Sequence, residues 1–157
     1  MDVTYINPFL KAIQSVFGTM LGIPVGMGKP ALKTNNGASS DVTGVVGMAG
    51  DRQVTVAVSF DSHSAISICK LLTGEPVEDF REPNVRDAIG ELTNIISGQA
   101  RKELEAGGIS LKASIPVVEV GRDVELSFLT SRPIISLPLW FDIEGSKGEA
   151  YIEFCVE

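Results

Sequence analysis

Residues 84–106 read NVRDAIGELTNIISGQARKELEA, a stretch whose apolar residues recur at the spacing of an α-helix. Pro83 and Asn84 open this stretch. Proline disfavours helix at the residue before it and asparagine is a good N-cap, so we expect the helix to begin here with Asn84 as its cap. Gly107 and Gly108 follow, and glycine commonly ends helices. The sequence therefore predicts one long amphipathic helix.

The apolar and polar residues of this helix separate onto two faces. Successive helical residues are rotated by about 100°, so each position can be placed relative to Glu91. An apolar arc between roughly 60° and 220° from Glu91 predicts the core-facing side. The residues of this arc are Val85, Ala88, Ile89, Leu92, Ile96, Ala100 and Leu104. On the opposite, solvent-facing side, Glu91, Asn94 and Gly98 form a narrow stripe, and Ile95 lies at its margin.

This stripe has the composition of a contact surface. A carboxylate and a carboxamide one helical turn apart can bind the same partner. Gly98 leaves a bare patch beside them, and a glycine inside a helix costs about 1 kcal/mol relative to alanine. Close approach of another surface would be a reason to keep it. Glutamate and asparagine at this spacing also occur on ordinary solvated helices, so the stripe alone fits that interpretation too.

The segment from Glu91 to Gly98, ELTNIISG, resembles a known signature. It is similar to the Glu-x-x-Asn-x-x-x-Gly motif of the CheC/CheX/FliY family of chemotaxis phosphatases. The chain length and the single copy of the motif are most similar to the CheX branch. The resemblance extends over the pattern of all 157 residues.

The resemblance implies a substrate and a role for each residue of the stripe. The substrate would be the phosphoaspartate of a CheY-type response-regulator receiver domain in bacterial chemotaxis, which carries its own Mg²⁺ and an active-site lysine. Hydrolysis then needs a positioned water, and an amide can both accept from and donate to water. We therefore expect Asn94 to orient the attacking water and Glu91 to dock on the receiver lysine, both as catalytic residues. Gly98 and Ile95 would contact the partner.

The same resemblance implies a homodimer in which strands of two subunits associate. The apolar stretch 137–141 gives this weak support. No cofactor or metal site of the chain's own is expected, because no cluster of histidine and carboxylate residues has the spacing of metal ligands.

Composition limits the other possibilities. With 157 residues, 44% hydrophobic and 21% charged, the chain fits one globular domain over residues 1–157. A net charge of −7 argues against sequence-independent binding to nucleic acid or anionic membranes. Cys69 and Cys155 lack metal or redox spacing, and the first residues lack the basic start of a secretory signal. We therefore expect a cytoplasmic protein.

The segments before the long helix predict helices and a hairpin. Asn7-Pro8 opens a predicted helix over residues 7–21. The pattern next predicts a weak strand over residues 25–32 and then a hairpin of two strands, residues 42–48 and 54–60. A second helix is predicted from its cap at Asp61-Ser62 to Leu72.

The segments after the long helix predict strands, at residues 109–120, 124–130, 134–143 and 149–156. Because strands come in hairpin runs, we predict an α/β fold of the α+β type, with a mainly antiparallel sheet and helices on one face. Each half of the chain begins with a helix and continues into strands, and this shared order indicates a faint internal repeat. Aligning Gly18 with Gly98 places Lys11 at the position of Glu91 and Gln14 at that of Asn94, so the first copy lacks the functional pair.

Two functions of other classes remain open. One is a non-catalytic module that binds a receiver or a flagellar-switch component, and it predicts binding without turnover. The other is a small-ligand domain that uses the glycine-rich first half, and it predicts a thermal shift with ligand.

Overall fold

The computed structural model describes residues 3–126 and 133–157, and the strands in these ranges form an eight-stranded sheet. The helices are α1 (Val3–Val16), α2 (Ser62–Thr73) and α3 (Pro83–Ala106). The strands are β1 (Gly26–Met27), β2 (Ala31–Lys33), β3 (Val42–Gly50), β4 (Gln53–Phe60), β5 (Leu111–Ala113), β6 (Val117–Val120), β7 (Ile134–Ile143) and β8 (Ser146–Val156). Every strand pairing in the described ranges is antiparallel, which confirms the predicted fold class.

The three helices pack on one face of this sheet. Alternate side chains of β4, from Val54 to Phe60, point to that face and share one core with the apolar sides of the helices. The Phe9 ring of α1 meets Phe154 of β8 edge-on, with centroids 5.8 Å apart. The predicted placement of the helices on one face is therefore confirmed.

The two halves of the chain exchange strands. The order across the sheet is β1-β7-β8-β4-β3-β5, with β2 also on β7 and β6 also on β3. The first two strands of each half thus pair with the hairpin of the other half, and the two hairpins meet where β4 pairs with β8. The internal repeat was predicted from the sequence, whereas this exchange was not.

The predicted start of the first helix was wrong, whereas the second helix begins at Ser62 with Asp61 as its N-cap, as predicted. The first helix already includes Val3, and Pro8 lies inside it. Burial of Tyr5 and Ile6 in the core favours the helical turn ahead of that proline. The chain continues from α1 as a π-helical turn over Phe17–Leu21.

The long helix begins at Pro83, so its N-cap is Glu82 and not Asn84. Glu82 has extended backbone (ψ 143°), which is the conformation that a following proline favours. The predicted stop is confirmed, because the helix ends at Ala106 and Gly107 follows as its C-cap.

Two predicted strands are each divided in two. Residues 25–32 form β1 and β2, and residues 109–120 form β5 and β6, with Pro30 and Pro116 in the interruptions. The last strand begins at Ser146, earlier than expected, because Glu144 and Gly145 alone make the preceding turn with positive φ. Of the strand predicted at residues 124–130, Glu125 forms an isolated bridge to Gly37, and residues 127–130 lie outside the described residues.

Loops cover part of the sheet face opposite the helices. There the Glu153 side chain is 0% exposed and pairs with Lys33, with Nζ 3.0 Å from Oε1. The Ser39 hydroxyl accepts from Lys33 at 2.8 Å and donates to the second Glu153 oxygen at 2.9 Å. This network fastens the segment after β2 over the sheet.

Candidate functional site

The inward side of α3 is buried as predicted. All seven residues of the apolar arc lie in the core. Thr93 and Ser97 are buried as well, each with its hydroxyl bonded to the helix itself: Thr93 Oγ1 donates to Ile89 O at 2.7 Å and Ser97 Oγ to Asn94 O at 3.1 Å. These internal bonds explain how two polar side chains are tolerated on the core side.

Close contacts with the sheet fix the rotation of α3. A Cβ at Gly44 of β3 would overlap Thr93 Oγ1, so only glycine allows the helix this close. Further along the helix, a Cβ at Gly90 would lie 3.3 Å from a methyl group of Val118 in β6. The Arg86 guanidinium also donates to the Val118 carbonyl oxygen at 3.2 Å. With its inner side held at several points, the helix presents a defined outer side.

The outer side of α3 carries the predicted stripe. Glu91 and Asn94 are exposed, and neither side chain forms a hydrogen bond or ion pair within residues 3–126 and 133–157. Gly98 is half-buried, yet a Cβ there would meet nothing within 4 Å. No contact inside the described chain therefore requires glycine at this position. Ile95 is half-buried and packs partly against the core, so only part of its side chain is available to a partner.

A groove of about 820 Å³ runs between α3 and the segment that joins β5 to β6. Glu91 and Asn94 line this groove, whereas Gly98 and Ile95 lie outside its lining. The full lining comprises Arg86, Asp87, Gly90, Glu91, Asn94, Arg101 and residues 113–118. The structure thus brings the predicted acid–amide pair together in one concave surface.

Two groove features were missed from the sequence. Arg101 lies two helical turns beyond Asn94 on the same side of α3, so helical periodicity alone could have identified it. The opposite wall, residues 113–118, could not have been found this way, because it depends on how β5 and β6 pair with β3.

Residues 3–126 and 133–157 contain no cluster of three or more histidine, cysteine or acidic side chains placed to hold a metal ion. Burial raises the pKa of the Cys69 thiol, which makes it a poor nucleophile at neutral pH. None of the helices in the described part of the chain is long and apolar enough to cross a bilayer.

Comparison with known proteins identifies relatives that are described as CheX proteins. The family model described as "Chemotaxis phosphatase CheX" matches residues 42–139. The CheY-P phosphatase CheX of Thermotoga maritima is 25% identical over 139 residues, which cover 88% of each chain. The crystal structure of the chemotaxis protein CheX from Desulfovibrio desulfuricans is 37% identical, with a TM-score of 0.82 over 98% of this chain and 99% of that one.

A complex is also among the similar structures. The CheX–CheY–BeF₃–Mg²⁺ complex from Borrelia burgdorferi matches with 27% identity and a TM-score of 0.73, covering 98% of this chain and 97% of that one.

Proposed function

Because the chain belongs to the CheX family of chemotaxis phosphatases, we propose that it hydrolyses the phosphoaspartate of a CheY-type receiver domain. The observation that carries the proposal is the exposed Glu91–Asn94 pair, which lines one groove and has no partner within the described chain. The relative named as a CheY-P phosphatase and the relative crystallised with CheY support the choice of substrate.

Asn94 is the proposed water-positioning residue. The water oxygen attacks phosphorus in line, the bond from phosphorus to the aspartyl oxygen breaks, and inorganic phosphate and a free carboxylate result. Such a reaction is accelerated mainly by positioning and charge stabilisation. The Asn94 amide can fix the direction of the water because it has both donor and acceptor atoms and does not titrate. We assign the Mg²⁺ to the receiver and no cofactor to this chain.

Glu91 is the proposed docking residue. Its carboxylate is exposed and unpaired within the described chain, so it can form a charge-assisted hydrogen bond to a lysine of the receiver. Gly98 then lets the receiver approach the helix without meeting a side chain. Ile95 would add an apolar contact through the part of its side chain that the core leaves uncovered.

The decisive experiment compares wild type with Asn94→Ala. Each is mixed with a Mg²⁺-loaded, acyl-phosphorylated receiver, and phosphate release is followed. We expect faster release with wild type and background release with the variant, at an unchanged melting temperature because Asn94 is exposed. Gln14→Ala is the matched control, since Gln14 is the exposed amide at the corresponding position of α1. Full activity of Asn94→Ala would rule out the water-positioning role.

Glu91→Ala separates docking from chemistry. We expect it to weaken the complex and to slow the reaction, and an unchanged complex would remove the docking assignment. If wild type binds the receiver without accelerating release, the protein is a receiver-binding module instead of an enzyme.

We also propose that the protein is a homodimer, but the edge of stretch 137–141 is not available for strand pairing between subunits. The stretch 137–141 lies in β7, which is flanked by β1 and β2 on one side and β8 on the other, so it offers no free edge. Trp140 in this strand is nevertheless 53% exposed, and tryptophan is enriched at interfaces. A monomer across micromolar concentrations in sedimentation would contradict the dimer. Since neither Cys69 nor Cys155 forms a disulfide in the described structure, we propose that the protein works in the reducing cytoplasm.

A further inference from the structure

The wall of the groove opposite α3 presents an anchored apolar tip. Ile115 is 87% exposed, and Val117 beside it is 56% exposed. The backbone that carries them is fixed: Ser114 N–H donates to Gly47 O at 2.8 Å, and Gly47 N–H donates to the Ser114 hydroxyl at 3.2 Å. The exposure of Ile115 is therefore imposed by strand pairing on both sides of it.

The α3 wall of the same groove contains a hydrogen-bond donor without an acceptor. Arg101 Nε is buried and has no hydrogen-bond partner in residues 3–126 and 133–157. Arg86, the other arginine in the lining, already donates to Val118 O. The Arg101 side chain is half-buried, lines the groove and forms no hydrogen bond or ion pair within the described residues, so its guanidinium can donate to an oxygen supplied from outside.

The first half of the chain, which the internal repeat relates to the second, has no charged groove at the corresponding place in its described residues. The alignment that pairs Gly18 with Gly98 places Leu21 at the position of Arg101. The corresponding groove on α1 measures about 400 Å³ and is lined by Gln14, Gly18 and residues 22–25, with no charged side chain. The acid, amide and guanidinium thus line the groove of α3 together, whereas the groove of α1 has none of these three groups except the amide of Gln14.

We propose that Ile115 and Arg101 form a second docking wall for the phosphorylated receiver. This inference rests on the proposed function, since the receiver is chosen because Glu91 and Asn94 line the same groove. An apolar side chain of the receiver covers Ile115, and a carbonyl or carboxylate oxygen of the receiver accepts from the guanidinium of Arg101, which lines the groove. Both residues then contribute to affinity and specificity, and neither touches the attacking water.

The test separates binding from turnover in Ile115→Ser and Arg101→Gln. The dissociation constant is measured with a receiver carrying BeF₃ and Mg²⁺, and KM and kcat with the acyl-phosphorylated receiver. Each variant should raise the dissociation constant and KM by about tenfold or more and leave kcat within about twofold. Arg101→Lys should fall between wild type and Arg101→Gln, because it keeps the charge but loses the planar set of guanidinium donors.

Matched controls come from elsewhere on the surface. Leu32→Ser removes a side chain that is 73% exposed on β2, at the other end of the sheet, and Arg52→Gln removes an exposed arginine outside the groove. Both should keep wild-type KM. The melting temperature of Ile115→Ser should match that of wild type, since the Ile115 side chain makes little contact with the fold, and melting temperatures of the arginine variants confirm that they are folded.

The outcomes distinguish this inference from the proposed function. If wild type is active and both groove variants keep its KM and dissociation constant, the docking wall is wrong and the phosphatase proposal stands. If wild type binds but does not accelerate release, the phosphatase proposal fails, and loss of binding in Ile115→Ser would still support the wall. A fall in kcat alone for Arg101→Gln would overturn its role as a docking residue.

Discussion

At the scale of single residues, Glu153 carries a carboxylate that is fully buried in the fold. Its carboxylate has no exposed surface, so the charge depends on Lys33 and Ser39, which are distant in sequence. Lys33 also donates to the Gly37 carbonyl oxygen and so ties the covering loop to the sheet. A buried ion pair of this kind contributes little beyond an apolar pair of the same volume, yet it becomes costly when one partner is missing.

Replacing Lys33 alone should therefore be more harmful than replacing both partners. Lys33→Met leaves the Glu153 carboxylate buried without its cation and should lower the free energy of unfolding by about 3–5 kcal/mol. The double variant Lys33→Met/Glu153→Met should recover most of that loss. Urea unfolding followed by circular dichroism measures both. A double variant as unstable as the single one would show that the charge is not the cause.

At the scale of one element, α3 combines a tight inner contact with an open outer one. Gly44 of the sheet is required by Thr93, whereas Gly98 of the helix meets no neighbour in the described chain. The two glycines thus serve different purposes. The first permits packing inside the molecule, and we propose that the second permits close approach of a partner from outside.

Alanine at these positions should have opposite effects on stability. Gly98→Ala should raise the free energy of unfolding by up to about 1 kcal/mol, because alanine favours helix and the space is open. It should also weaken receiver binding. Gly44→Ala should lower stability by about 1–3 kcal/mol, since Thr93 must move. Thermal or urea unfolding with a receiver-binding assay tests both, and unaltered binding of Gly98→Ala would remove the reason proposed for this glycine.

The long helix also shows how far sequence reasoning extends. Helical periodicity correctly predicted the buried arc and the exposure of Glu91 and Asn94, because one element determines both. It could have identified Arg101 on the same grounds. Ile115 was beyond its reach, since its exposure depends on hydrogen bonds between Ser114 and a strand more than sixty residues earlier. The second wall of the groove is a property of strand pairing and not of local sequence.

At the scale of the whole molecule, the sheet was predicted as a set of antiparallel hairpins, and the pairing between halves was not. Local alternation and turn residues define β3–β4 and β7–β8, but nothing local specifies that β1 and β2 pair with β7 or that β5 and β6 pair with β3. This exchange brings the second wall of the groove to β3, a strand of the first half. All residues that line the groove belong to the second half of the chain, and β3 of the first half holds their second wall in place through strand pairing.

Because the two halves of the chain exchange strands in the sheet, we expect them to unfold together. Neither half keeps its outer strands paired without the hairpin of the other half, so partial unfolding would expose the shared core. Trp140 reports this contact, because its ring lies against Gly26 of β1, where a Cβ would overlap it. At one protein concentration, Trp140 fluorescence and far-ultraviolet circular dichroism should give the same urea midpoint.

A substitution at the contact between halves makes this test sharper. Gly26→Ala forces the Trp140 ring to move and should lower both midpoints by the same amount, although the change lies at one end of the sheet. Leu32→Ser, on the neighbouring strand β2 but exposed, is the control and should leave both midpoints unchanged. If fluorescence alone shifts in Gly26→Ala, the halves unfold separately. The groove could then lose its β5–β6 wall while α3 stays folded.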